Sequence, residues 1–348
     1  MKLYNDKDNL CFDDILMVPR PSEVESRRDI DLTMTIGVER RIDLYLPIIA
    51  APMDTVCESD MAIALAEYGG LGIIHRFANA DQQSQQVNTV AIKKLPVGAA
   101  VGVSNSEKSV LKNAESLILS GASLILVDTA NGHNILAVET VKQIRKAFPD
   151  IHIMAGNVST WDGFLQLSQA GADSIRVGIG GGSMCTTRIV SGHGLPTLAS
   201  IMEIYDLLER IDLPTSIIAD GGIRNSGDCV KAFAAGADAV MLGSLLSGHT
   251  ESPGKVGRHG NGDYKTIRGM ASEDAQRDSS RKLSVVEGIS TKVAFKGPVG
   301  PTLDQLRGGI SSGCSYSGVQ RLSDLQLFSE YVKVTPTSLG ESKPHGQL

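Results

Sequence analysis

The chain has 348 residues, 42% of them hydrophobic and 21% charged, an ordinary balance for a soluble globular protein and enough length for one large α/β unit. A net charge of −6 without a basic patch argues against nucleic acid as a partner, and no apolar run approaches the roughly 20 residues that a membrane span needs. Five scattered cysteines with no C-x-x-C pair support neither a disulfide framework nor a zinc knuckle and fit a reducing, cytoplasmic setting, and the polar, charged first nine residues do not read as a signal peptide.

In chain order, short apolar runs recur at 46–53, 71–77, 96–103, 124–130, 152–158, 174–180, 216–222 and 239–246. Each is rich in β-branched or small residues, nearly free of charge, and closed by Gly, Asp or another polar residue, as buried parallel strands read. Amphipathic stretches at 58–68, 107–120, 136–148, 161–170 and 227–235 predict helices between them. Three helix ends carry the same punctuation, Ser120-Gly121-Ala122, Ala170-Gly171-Ala172-Asp173 and Ala235-Gly236-Ala237-Asp238, where the glycine predicts a left-handed cap. Glycine reaches 37 residues, about 11% against roughly 7% on average, with the excess in short loops after the apolar runs.

Eight alternating units predict an α/β fold, a closed (β/α)8 TIM barrel, rather than an open doubly wound sheet, whose G-x-G-x-x-G is missing from the first turn. Residues 1–340 read as a single catalytic barrel, with a polar, Gly- and charge-rich segment at about 249–298 as a mobile flap over the active face and 341–348 as a disordered tail.

In such a barrel function collects on the loops that follow the strands. Those positions hold Asp54-Thr55, His75-Arg76, Asp128 to Gly132, Asn157, Gly180 to Arg188, Asp220-Gly221-Gly222 and Gly243-Ser244. The sixth loop is the most informative: three glycines allow a tight backbone, and Cys185 follows them beside two hydroxyls and Arg188. A thiol there is a candidate nucleophile, whereas Cys57, Cys229 and Cys314 read as buried and inert, and Cys11 has no assignable role. The glycines after the seventh and eighth runs sit where barrel enzymes hold phosphate on backbone amides. The predicted strands contain no lysine, which weakens a Schiff-base reading. A metal-dependent lyase using Asp54, Asp128, Asp220 and His75 is a rival, though no H-x-H or E-x-x-H pair supports it.

The run Gly178-Ile-Gly-Gly-Gly-Ser-Met-Cys-Thr-Thr-Arg188 resembles the cysteine loop of the IMP dehydrogenase/GMP reductase family. Ala51-Pro-Met-Asp-Thr-Val56, Ile153-Met-Ala-Gly-Asn-Val158, Ile218-Ala-Asp-Gly-Gly-Ile-Arg224, Gly248-His-Thr-Glu-Ser-Pro-Gly254 and Phe295-Lys-Gly extend the resemblance over nearly the whole chain. Gly181 departs from it by replacing the more usual proline. Dehydrogenases of the family usually carry a paired regulatory module after the second strand and an Arg-Tyr pair in the flap. Only a helix-length segment separates Phe77 from Pro96, and no Arg-Tyr occurs in 249–298. His75-Arg76, Asp128-Thr-Ala-Asn-Gly132 and the stretch from Gly269 to Gly288 look like reductases. Pro52 and the Gly69-to-His75 run look more like dehydrogenases, and Arg281 offers a displaced flap arginine.

The resemblance implies GMP reductase, the NADPH-dependent reductive deamination of GMP to IMP and ammonia through a thioimidate on Cys185, with IMP dehydrogenase as the alternative. It implies Thr187 and Glu287 as the acid relay. Asp220, Gly221, Gly222, Gly243 and Ser244 are expected at phosphate and ribose, and Arg268, Gly269, Met270, Ser284, Val285, Val286 and Gly288 at the base. Arg76, Asp128, Thr129, Ala130, Gly180 and Gly181 are expected on the nicotinamide side, with Ser26 and Arg27 reaching a neighbouring subunit's cofactor in a homotetramer. The carbonyls of Gly180, Gly182 and Cys185 are expected to bind K+.

Overall fold

The computed structural model describes residues 4–5, 7–104, 106–211, 213–260, 262–278 and 285–344. Eight strands close into a barrel: β1 (Ile48–Ala50), β2 (Leu71–Ile74), β3 (Val97–Val101), β4 (Leu124–Asp128), β5 (His152–Val158), β6 (Ser174–Val177), β7 (Ser216–Asp220) and β8 (Ala239–Leu242). All pairs are parallel and run in chain order, with β8 closing on β1. Each strand lies within one of the eight apolar runs. In every run except 152–158 the ladder ends before the run does, because the chain turns away to build the loops above. After β1, for example, Met53 N donates to Ala51 O and Val56 N to Met53 O.

Eight helices cover the barrel: α1 (Ser59–Glu67), α2 (Ala80–Ala91), α3 (Glu107–Leu119), α4 (Ile135–Ala147), α5 (Trp161–Gln169), α6 (Thr197–Leu208), α7 (Ser226–Ala234) and α8 (Gly300–Tyr316). Gly121, Gly171 and Gly236 adopt φ of +101°, +104° and +113°, and the following alanine N–H reaches back to Leu117 O, Leu167 O and Ala232 O. That six-to-one bond is the Schellman cap the repeated punctuation predicts. Pattern reading passes over α2 because its sequence is mostly Gln, Asn and Ser, with Gln83, Val87 and Val90 its buried residues. It passes over α8 because glycines interrupt the helix. A Cβ on Gly309 would lie 2.1 Å from Ser226 Oγ, and one on Gly313 2.4 Å from a Val230 methyl, so these glycines let α8 lie close on α7.

The apolar residues divide into two layers by the two-residue period of the strands. Ile49, Leu71, Ile73, Ala100, Leu126, Met154, Ile218 and Met241 fill the barrel, whereas Ile48, Ala50, Ile74, Ala99, Val127 and Val240 face the helices. A hairpin, Met34–Ile36 with Ile42–Leu44, inserts Ile36 and Leu44 into the inner layer at the N-terminal end of the strands. There His152 Nδ1 donates to Arg40 O (2.7 Å) and Nε2 accepts from Ser174 Oγ (2.8 Å), and burial keeps the ring's pKa below its ordinary value. Near the chain ends Ile15–Met17 pairs antiparallel with Tyr331–Lys333. Within 249–298 the chain forms an antiparallel sheet of β9 (Gly257–His259), β10 (Gly262–Arg268) and β11 (Ser290–Ala294). A final helical turn, Ser338–Glu341, takes in the first residue of the segment read as a tail, and 345–348 lie outside the described residues. Among the described residues no helix is long and apolar enough to cross a membrane.

The two Ala-Gly-Ala-Asp corners differ in charge compensation. Asp173 accepts Ile153 N–H and is held by Arg40 and Arg145, while Asp238 accepts Ile217 N–H without a cation beside it among the described ion pairs. Burial pushes the Asp238 carboxyl up to about 7. The folded protein therefore holds a proton that the unfolded chain, with a carboxylate pKa near ~3.9, has already released, so stability falls as pH rises from about 4 to about 7. Asp238→Asn keeps an oxygen for Ile217 N–H and carries no charge. Urea denaturation midpoints of this variant are expected to lose that decline and to exceed wild type at pH 8. An identical slope in both proteins would place the titration elsewhere.

Candidate active site

A cleft of about 620 Å³ opens over the C-terminal ends of the strands, within the usual size range of small-molecule sites. It is lined by the loops after β1, β2, β4, β6, β7 and β8, by Asn157 of β5, and by Ile267, Gly269, Met270, Ala271, Gln276, Val285 and Glu287 from above.

Cys185 stands on the loop after β6, half-buried, with its thiol donating to Thr187 Oγ1 (3.2 Å). Thr187 in turn donates to Glu287 Oε2 at 2.7 Å, although the two are 100 positions apart. Backbone pairing makes this possible: Thr186 N donates to Glu287 O, Ile289 N to Met184 O, and Cys185 faces Gly288 in an antiparallel bridge. Cys57, Cys229 and Cys314 are buried, and burial raises each thiol to about 12. Exposure and a hydroxyl partner set Cys185 apart from them.

The glycines of this loop are demanded by close approach. At Gly178 a Cβ would sit 2.0 Å from Asp220 O, and at Gly180, with φ +77°, 2.5 Å from Arg188 Cγ. At Gly181 it would sit 2.8 Å from Thr197 Oγ1 at the start of α6, a buried hydroxyl with no hydrogen-bond partner among the described residues.

Beneath the cleft Arg176, inside β6, donates through Nε and Nη2 to Asp220 Oδ2 (3.1 and 2.8 Å) and through Nη1 to Asp128 Oδ1 (2.7 Å). Burial opposes the charged guanidinium, but the Asp220 and Asp128 carboxylates outweigh it and hold its pKa above the ordinary value. Burial likewise works against the Asp128 carboxylate, and Arg176 and Arg76 overcome it, holding its pKa low. Arg76 Nε donates to Asp128 Oδ2 (3.0 Å), and Asn157 Nδ2 to Asp220 Oδ2 (2.7 Å). Arg176 escapes a reading of the sequence because a single charge barely alters the apolar character of the run that holds it. That isolated arginine was itself the signal, since a buried charge demands partners.

The remaining sequence-selected residues separate by position. Thr129, Ala130, Gly180, Gly181 and Gly182 line the cleft, as do Gly221, Gly222, Gly243 and Ser244, with Gly269, Met270 and Val285 above. Val286 is half-exposed beside Glu287, and Gly288 pairs with Cys185. Arg268 turns its guanidinium to Asp54 and Asp278, bracing the root of the β9–β11 sheet against the loop after β1. Ser26 caps a turn by accepting Arg28 N–H, and Arg27 stacks on Tyr316 of α8, both away from the lining of the cleft. Arg281 and Ser284 lie outside the described residues. The acidic set with His75 does not assemble: His75 pairs with Glu58, Asp54 with Arg268, and among the described residues no group of three His, Cys, Asp or Glu could hold a metal ion.

The IMP dehydrogenase / GMP reductase domain model matches residues 9–345. The chain is 34% identical to inosine-5'-monophosphate dehydrogenase of Borreliella burgdorferi, over 97% of each protein. It is 32% identical to the enzyme of that name from Nitrosopumilus maritimus, over 98% of this chain and 99% of the relative. That second alignment extends over 478 positions, so the relative carries sequence with no counterpart in this chain. Among solved structures, a cysteine-to-alanine GMP reductase from Trypanosoma brucei in complex with guanosine 5'-monophosphate superposes with a TM-score of 0.90 at 28% identity, over 98% of both chains. The chain belongs to the IMP dehydrogenase/GMP reductase family of oxidoreductases.

The contact between Gly181 and Thr197 is testable. Gly181→Ala forces its Cβ against Thr197 Oγ1 and is expected to cost about 1–3 kcal/mol and to slow alkylation of Cys185 by iodoacetamide. Adding Thr197→Ala removes the obstruction and should restore both. A double variant no better than Gly181→Ala alone would show that the cysteine loop does not rest on Thr197.

Proposed function

We propose that the chain is a GMP reductase, converting GMP to IMP and ammonia with NADPH as the reductant. The supporting observation is the line of hydrogen bonds from Cys185 Sγ through Thr187 Oγ1 to Glu287 Oε2. In this reading the thiol proton passes along that line to the Glu287 carboxylate, and the freed thiolate adds to C2 of the purine. Glu287 returns the proton through Thr187 to the C2 amine, which leaves as ammonia, since nitrogen departs readily only when protonated. The carbon is then held as a thioimidate on Cys185. When bound, NADPH supplies the hydride for C2. Cys185 finally departs as thiolate, restoring the ring double bond, and takes a proton from solvent.

The rest of the cleft suits these ligands. Gly221 and Gly222 have φ of +91° and +84° and line the cleft with Gly243 and Ser244, which suits a phosphate held by backbone N–H groups. Among the described residues the three donors on Asp220 fall on Oδ2, which leaves Oδ1 to accept ribose hydroxyls. Gly269, Met270, Val285, Val286 and Gly288 would close over the base, with Arg268 bracing them. Arg76, Asp128, Thr129, Ala130, Gly180 and Gly181 would face the nicotinamide. The carbonyls of Gly180, Gly182 and Cys185 are oxygen donors of the kind K+ takes, and of the three only Gly182 O accepts a backbone N–H among the described bonds, from Cys185 at 3.1 Å. Because Ser26 and Arg27 stand away from this chain's own cleft, a role for them at the cofactor requires a homotetramer neighbour. A cytoplasmic setting fits the free thiol this reading needs.

The alternative is an IMP dehydrogenase without the inserted segment, a reading favoured by the names of the sequence relatives. Nicotinamide absorbance, followed with GMP plus NADPH and with IMP plus NAD+, separates the two. GMP is expected to be reduced, Glu287→Gln to slow that by about 10²- to 10⁴-fold because glutamine passes no proton, and Cys185→Ser to bind nucleotide without turnover. Faster XMP formation from IMP, insensitive to Glu287→Gln and lost on Arg281→Ala, would overturn the reductase assignment.

A further inference from the structure

Asp128 ends β4, Arg176 lies in β6 and Asp220 ends β7, so three strands bring three ionised groups together under one cleft. Gly156 of β5 is paired in register with Asp128 on one side and Arg176 on the other. A Cβ on Gly156 would lie 2.6 Å from Arg176 Cβ, so its absence gives the arginine room on the strand that separates it from Asp128. Three donors then meet two carboxylates. Nε and Nη2 share Asp220 Oδ2, and Nη1 takes Asp128 Oδ1. The far oxygen of Asp128 accepts Arg76 Nε, and Asp220 Oδ2 also accepts Asn157 Nδ2. The side chains of Arg176, Asp220 and Asp128 are only 9%, 15% and 16% exposed, so water screens these contacts weakly.

We infer that Arg176 is a positioning residue that couples the nucleotide subsite at Asp220 to the dinucleotide subsite at Asp128 and Arg76, so that each ligand tightens the binding of the other. The inference rests on the reductase reading for the identity of the two ligands. A guanidinium is planar and its donors are fixed relative to one another. Ribose hydroxyls settling on Asp220 Oδ1 fix that carboxylate, the carboxylate fixes the guanidinium plane, and the plane fixes Nη1 against Asp128. The second ligand then meets a pair, Asp128 and Arg76, whose ordering cost the first has already met. Linkage requires the effect to be equal in both directions.

NADP+ carries no hydride, so GMP with NADP+ cannot be reduced, and titration calorimetry, with mass spectrometry to check that no adduct has formed on Cys185, can measure each alone and each in the presence of the other. In wild type, saturating GMP is expected to tighten NADP+ by about 5-fold or more, and NADP+ to tighten GMP by the same factor. Arg176→Lys keeps the charge but cannot span two carboxylates, and should bring both factors close to one while the protein stays folded by circular dichroism. Asp128→Asn removes the charge and one of the two acceptors that Arg176 and Arg76 use, and should likewise bring both factors close to one. Should Arg176→Lys fail to fold, Asp128→Asn and the wild-type cycle still decide the matter. Two ligands that bind wild type independently, or coupling that survives either substitution, would overturn the inference and leave the reductase reading standing. Failure of both ligands to bind wild type would overturn both.

Discussion

Two backbone hydrogen bonds, Thr186 N to Glu287 O and Ile289 N to Met184 O, join the cysteine loop to the segment above it, and the candidate chemistry depends on them. Without that pairing the carboxylate and the thiol belong to separate parts of the chain. The pairing needs bare backbone: a Cβ at Gly269 would lie 2.8 Å from Met184 O, and one at Gly288 would lie 3.2 Å from it. It also needs a fixed root, which Arg268 supplies through Asp54, an interaction that holds the guanidinium's pKa above its ordinary value, and through its N–H on Thr55 Oγ1. The relay is thus a property of loop backbone as much as of three side chains.

The barrel resolves its buried charges differently at its two ends. At the N-terminal end Asp173 draws in Arg40 and Arg145 beside His152, and the cluster ties the plugging hairpin to β5 and β6. No ligand is needed to satisfy it. At the C-terminal end the donors that Asp220 accepts among the described residues all meet Oδ2, so the same type of ion pair is left incomplete where a ligand can complete it. Buried ion pairs add little net stability because desolvation offsets attraction, and the value of this one lies in holding a fixed arrangement before the ligand arrives.

How far the sequence reveals this depends on whether the signal is local. Eight apolar runs and three Gly-Ala corners report strands and caps because burial on both faces and left-handed φ are conditions met within a few residues. The Gly-Gly-Gly-Ser-Met-Cys loop was legible for the same reason. Thr197 was not, because a hydroxyl beginning a helix looks like any helix start and matters only for what Gly181 places above it. Arg268 was legible as a residue near the site, but its partners Asp54 and Asp278 lie 214 and 10 positions away, and no spacing rule connects them. The N-terminal hairpin escaped because its strands are three residues each and gain their burial only from a barrel not yet formed.

The strap that pairs Ile15–Met17 with Tyr331–Lys333 ties together segments from far apart in the chain. Ile15–Met17 finds its partner only when Tyr331–Lys333 exists, and Leu10 O, Phe12 O and the Phe12 ring meet Ala199 N, Lys231 Nζ and Gly222 far along the chain. Pairing the two strands closes a loop of more than 300 residues, an entropic cost that the intervening barrel meets by bringing them together. A chain without Tyr331–Lys333 leaves Ile15–Met17 unpaired, and with it the anchor beside the Phe12 ring that packs against Gly222 at the rim of the cleft.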